Sequence, residues 1–136
     1  MNVKILILLI FISCGYTSKL NHTNTIEEDY FITKIDSVDN YYLIYAKKNN
    51  ENFKFISEKT HTECAKIIEI GNKYSLKKES IFEFKIIKND SIITISNHVN
   101  IDCMILGDTK ICKEYENKIY DVYISKNLKG LCYIEE

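Results

Sequence analysis

A mainly β fold, a small antiparallel barrel of OB-like form or a sandwich with one short helix near residues 110–119, is what this sequence predicts. Three observations predict it. From Asp29 onward, Ile, Tyr, Phe, Val and Thr crowd into short runs; clusters of Asn, Asp, Gly, Ser and Lys separate those runs; and ten Tyr with six Phe supply the aromatic surface that pleated strands favour. Short strands at near-regular spacing suit a barrel or a sandwich. With 46% hydrophobic and 27% charged residues, the 136-residue chain can bury one core, and residues 29–136 are expected to form a single domain.

The elements follow in order. Tyr30 to Ile35 has strand character, and Tyr41 to Ala46 and Phe53 to Ile56, separated by the polar residues Lys47 to Asn52, predict a hairpin. Ile67 to Ile70 and Tyr74 to Lys77 predict a strand, turn and strand about Gly71-Asn72, residues that tolerate positive φ. Ile81 to Ile87 and Ile92 to Ile95 predict a third hairpin about Asn89-Asp90. Ile101 to Leu106 runs into a Gly107-Asp108 turn. Between Lys110 and Ile119, Ile111, Tyr115 and Ile119 recur every four residues, the period of a short helix. Tyr120 to Ile124 and Leu131 to Ile134 return to strand, broken at Asn127 to Gly130. The chain has no Pro, so lysines are left to guard exposed strand edges.

On an extended Tyr41 to Lys47, successive side chains point oppositely. Tyr41, Leu43, Tyr45 and Lys47 share one face, and Tyr42, Ile44 and Ala46 share the other. The second set is apolar towards its end, so it is expected to face the core, leaving Tyr41 and Tyr45 on an exposed face able to bind a partner. The alternative is that both rings pack within the domain, since β-structure selects Tyr on its own account.

Composition also excludes. There is no Arg, so every one of the 18 basic residues is Lys, and no arginine clamp on phosphate exists. Formal net charge is -1, without a basic stripe, and nucleic acid is not an expected partner. No Gly-rich phosphate loop, Gly-x-Ser-x-Gly elbow or His-Glu-x-x-His helix occurs. Hence no catalytic residue, no cofactor and no metal is expected. Glu27-Glu28-Asp29 and Glu135-Glu136 read as solvated terminal charge, and His61 and His98 as surface residues.

Met1 to Lys4 is a short, positively charged start, and Ile5 to Ile12 is an unbroken apolar run of a length suited to a signal peptide and too short to span a bilayer. Phe11-Ile12-Ser13-Cys14 follows directly. This resembles the lipobox of bacterial lipoprotein precursors, and the short signal ending in Ser-Cys is similar to those of small lipoproteins of Flavobacterium-like bacteria. The resemblance implies that residues 1–13 are removed and that Cys14 becomes the acylated first residue of the mature chain. Phe11 and Ile12 depart from the Leu and small residue usual there. Cleavage after Gly15 or Ser18, giving a secreted chain, is the alternative. Residues 15–28 are polar and read as a flexible tether between Cys14 and the domain.

Four further cysteines remain, Cys64, Cys103, Cys112 and Cys132. In an exported chain an even set predicts two disulfides, with three connectivities open. His61-x-x-Cys64 has ligand-like spacing but lacks companions for a metal site, and the apolar neighbours of Cys132 raise a thiol's pKa rather than activate it. The expected function is a lipid-anchored binding or structural module of the cell envelope, its partners a membrane through the anchor and an envelope protein or glycan. An inhibitor or immunity-type lipoprotein is the alternative, and a small envelope hydrolase comes third.

Overall fold

The computed structural model describes residues 29–61, 63–88, 91–96 and 101–135. Cys14, His98, Glu27, Glu28 and Glu136 therefore lie outside the described residues, as do the expected signal and tether.

Strands β1 (Asp29–Val38), β2 (Tyr41–Lys48) and β3 (Glu51–Glu58) form an antiparallel meander. Both turns are two residues long. Val38 pairs with Tyr41 across Asp39-Asn40, and Lys48 pairs with Glu51 across Asn49-Asn50. Asp39, Asn49 and Asn50 adopt positive φ, which Asn and Asp tolerate and which hairpin turns of this length require. The polar stretch Lys47 to Asn52 is thus mostly strand, because two asparagines suffice to reverse the chain.

Strand β4 (Lys73–Ser75) pairs with the outer side of β1, and β5 (Lys78–Ser80) forms the opposite edge of the sheet. Between β3 and β5 lies β10 (Tyr123–Ser125), antiparallel to β5 and parallel to β3 through Tyr123 and Phe55. The resulting order β4-β1-β2-β3-β10-β5 curls into a half-barrel. Three hairpins complete the described fold: β6 (Glu83–Lys88) with β7 (Ser91–Ser96), β8 (Cys103–Leu106) with β9 (Thr109–Cys112), and β11 (Leu128–Lys129) with β12 (Cys132–Tyr133). The fold is mainly β, as the sequence predicts. Gly107 and Gly130 take positive φ at two of these turns; at Gly130 a Cβ would meet the Thr60 hydroxyl at 3.0 Å.

Two expected elements differ. No α-helix forms over 110–119: β9 occupies Thr109–Cys112, and one 3-10 turn, Tyr115–Asn117, follows. The four-residue period there is accidental, since Ile111 and Ile119 are buried while Tyr115 is half exposed. Pairing of Cys112 with Cys103 holds the first part extended. Nor do Ile67 to Ile70 pair with the strand after Gly71. Strand β4 pairs with β1 instead, and Ile67 makes only an isolated bridge to Cys132.

The sheet packs on both faces. One face buries Tyr30, Ile32, Ile44, Ala46, Phe53 and Phe55 with Ile68, Tyr74, Leu76 and Leu128, and Tyr30 meets Phe53 and Phe55 edge-on at 5.0 Å. On the other face Ile56 packs with Phe82, Ile111 and Val122, joined by Val38, Leu43, Met104 and Leu106. The β8–β9 hairpin lies over this second face, and Thr109 ties it to the β1–β2 turn by donating to Asp39 Oδ2 at 3.0 Å. Strand β3 is consequently buried on both sides from Phe53 to Ser57.

All four expected cysteines are bridged, Cys64 to Cys132 and Cys103 to Cys112. The second is a cross-strand pair inside the β8–β9 hairpin; the first joins the loop after β3 to β12, 68 residues away in sequence. Disulfides mark an oxidising compartment outside the cytoplasm. Among the described residues no helix is long and apolar enough to cross a membrane.

Replacing Cys64 and Cys132 together by Ser is expected to cost more than replacing Cys103 and Cys112, about 4 against about 2.6 kcal/mol by loop-closure entropy. Urea midpoints of the two double variants check the order. Alkylation of the denatured, unreduced chain should label none of the four.

Candidate functional site

Register across the sheet lays out the second face in rows. Tyr41, Leu43, Tyr45 and Lys47 of β2 stand opposite Glu58, Ile56, Lys54 and Asn52 of β3, and opposite Val38, Asp36, Lys34 and Phe31 of β1, with a bulge between Ile32 and Lys34. The facing expected for β2 is the one observed: Ile44 and Ala46 are buried in the first core. Tyr41 and Tyr45, however, are half-buried rather than open. Leu43 and Ile56 lie beneath the covering layer, so the rows pass from apolar at one end to polar at the other.

The middle row holds a charged cluster. Lys54 is only 4% exposed, and taking an ammonium out of water is costly unless it is paired and hydrogen-bonded. Its Nζ donates to Glu114 Oε1 at 2.6 Å and to the Cys112 carbonyl at 2.8 Å. The Tyr45 hydroxyl donates to the same Oε1 at 2.9 Å, and Asn117 Nδ2 donates to Oε2 at 2.9 Å. Glu114 is held in place by its own backbone, which exchanges hydrogen bonds with Ile119 in both directions while Lys118 closes the loop at positive φ. Asn52 Nδ2 then fastens the loop to β3 by donating to the Asn117 carbonyl at 2.7 Å.

Burial pushes the Glu114 carboxyl upward, but the hydrogen bonds from Lys54, Asn117 and Tyr45 outweigh it, and the group is held below its ordinary value. Burial and the bond to Glu114 raise the Tyr45 phenol well beyond its usual range, so it stays protonated and donating. Beside this cluster opens a cavity of about 330 Å³, lined by Thr33, Lys34, Tyr45, Asn52, Glu114 and Asn117 among others. Lys34 Nζ lies 5.1 Å from the Tyr45 ring centroid and also pairs with Asp36 at 2.8 Å. The lining offers two amides, two hydroxyls, a carboxylate and an ammonium beside the rings of Tyr45 and Phe53, which suits a polar ligand with several donors and acceptors.

Of the other residues singled out in the sequence, His61 is exposed, and Cys64 is occupied by its disulfide. Glu135 pairs with Lys66 at the surface. Lys54, Glu114, Asn52 and Asn117 were not anticipated. One signal for Lys54 exists, a lone charge inside the apolar run Phe53 to Ile56; nothing in the sequence marks Glu114 as its partner 60 residues away. Comparison with protein-family models, with curated proteins and with solved structures finds no match to this chain.

Glu114→Ala leaves Lys54 buried without its counter-charge and is expected to cost about 3–5 kcal/mol, whereas Lys54→Met with Glu114→Leu should recover most of that loss. Denaturant midpoints of the three variants decide it. The pH dependence has a definite sign. A carboxyl with a depressed folded-state pKa contributes stability that is present above its unfolded value, near 4.5, and is lost as pH falls through the lower folded value. Glu114→Gln should remove that acid-side decline from a plot of midpoint against pH.

Proposed function

We propose that this chain is a lipid-anchored protein of the cell envelope that binds a partner through the second face of its sheet, without chemical turnover. The observation that carries the reading is the polar cavity beside Tyr45, built on a sheet whose covering hairpin is closed by a disulfide. Rigid elements with locked side chains favour recognition, because little ordering entropy remains to be lost on binding. The same locking disfavours proton transfer: the Glu114 carboxylate already accepts from three side chains, and Lys54 already donates to two oxygens. An envelope protein or glycan is the partner class, in keeping with the mixed amide and hydroxyl lining. The anchor rests on the lipobox resemblance at Cys14 and on the oxidising compartment that the disulfides indicate. Stable attachment requires more than one acyl chain.

Two measurements test this reading. Intact mass of the membrane fraction should give a chain beginning at an acylated Cys14; an unmodified chain beginning at Tyr16 or Lys19 overturns the anchor. Chain immobilised through its N-terminus should retain a stoichiometric partner from solubilised envelopes, and Thr33→Arg, which fills the cavity from an exposed position, should lose it. Equal retention by both chains removes the cavity from the reading, and catalytic consumption of the captured molecule removes the absence of turnover.

A further inference from the structure

A second hollow opens where two neighbouring strands part. Strands β3 and β10 run parallel, but only Tyr123 and Phe55 pair, so the chain leading into β10 diverges from the start of β3. The Asn52 side chain bridges the gap by donating to the Asn117 carbonyl at 2.7 Å, and between the two walls lies a recess of about 260 Å³. Asn50 and Glu51 line it from the β2–β3 turn and the start of β3, and Lys118, Tyr120 and Asp121 line it from the other side. It shares Asn52 and Phe53 with the cavity beside Tyr45, so the two hollows are neighbours.

Among the described residues, the side chains of Asn50, Glu51 and Lys118 make no hydrogen bond or ion pair, whereas Asp121 already accepts from Ser80 and from the Val122 amide. Tyr120 is 62% exposed, its ring leaning on that of Tyr115 at 6.0 Å between centroids. Tyr115 is fixed in turn by donating to Asp102 Oδ1 at 2.5 Å. A positioned aromatic face thus stands open beside three polar groups with capacity to bond. We infer that this recess is a subsite for one ring of a neutral glycan, with the sugar's C–H face stacked on Tyr120 and its hydroxyls bonded to Asn50, Glu51 and Lys118. An aromatic face is electron-rich and attracts polarised C–H groups; a hydroxyl both donates and accepts, so a carboxylate, an ammonium and an amide together suit a rim of hydroxyls. Of the side chains lining the recess Lys118 alone is cationic, beside the carboxylates of Glu51 and Asp121, so no excess of positive charge is offered to a phosphate or sulfate. Because the ring is already held, little side-chain freedom is lost on binding. This deepens the reading above by choosing glycan over protein, and it rests on that reading for the binding role.

The test titrates the exported, oxidised chain with chitotriose, cellotriose and maltotriose and follows its backbone amide signals by NMR. At least one of these sugars is expected to shift the signals of residues 50–52 and 118–121, and saturation of the protein's aromatic protons should pass to the sugar's C–H protons. Tyr120→Ala should weaken binding by about tenfold and Tyr120→Phe should keep it, since the ring face and not the hydroxyl is used. Ile105→Ala, at an open apolar residue of β8, should leave it unchanged. Urea midpoints of all variants confirm that each is folded. Absence of those shifts with every sugar, or equal binding by Tyr120→Ala, overturns the proposal, as does loss by Tyr120→Ala of a captured envelope protein where no sugar binds. Thr33→Arg, which fills the neighbouring cavity, separates the two readings. Sugar binding lost with Tyr120→Ala but kept with Thr33→Arg supports the recess and counts against the cavity; loss in both supports one glycan spanning the two hollows. Loss with Thr33→Arg alone overturns the recess and leaves the cavity standing.

Discussion

Everything in this molecule is arranged around a strand that cannot face water on either side. From Phe53 to Ser57, β3 is buried on both faces, and its even-numbered positions include Lys54. A meander with one apolar face needs a single partner layer; a central strand buried twice needs two. Ile68, Tyr74, Leu76 and Leu128 supply the first layer, and the β8–β9 hairpin with the segment to Val122 supplies the second. That second layer is acceptable over Lys54 only because Glu114 and the Cys112 carbonyl meet the ammonium there. The ion pair is weak ground for claiming stability, since its Coulomb gain is spent against desolvation, but it fixes where the covering loop must sit. Register, cover and cavity all follow from that placement.

Local chemistry made much of the fold readable before the structure was known. Alternation on β2 separated Ile44 and Ala46 from Tyr45 and Lys47, and the β8–β9 turn was marked by Gly107. What failed was non-local. Ile111, Tyr115 and Ile119 have a helical period, yet Ile111 belongs to a strand because residues 103–106 pair with it. Ile67 to Ile70 has strand composition, but the edge beside β1 is taken by β4. The number of cysteines implied two bridges, whereas their connectivity depended on which strands are neighbours. The cluster at Tyr45 shows the same division: the face of the tyrosine follows from period two, while the carboxylate it meets arrives from a loop 69 residues further on.

The second face thus changes character along its length. Leu43 and Ile56 lie under cover, Tyr45 and Lys54 are held in a polar cluster, and Lys47 and Phe31 stand in the open. Each step is two residues along the strand, the pleat repeat, so three environments fit within one β2.

The Cys64–Cys132 bridge has a meaning beyond folding. It closes a covalent ring that contains most of the chain after β3, including all the strands that cover the second face. A single peptide bond cut anywhere between the two cysteines opens the ring without releasing a fragment. The cut product remains one molecule, with its fragments still joined and the covering hairpin still cross-linked to itself at Cys103 and Cys112. In an oxidising compartment outside the cytoplasm, one cleavage within this ring is then a local event that noncovalent packing can tolerate, and loss of a piece of the ring requires two.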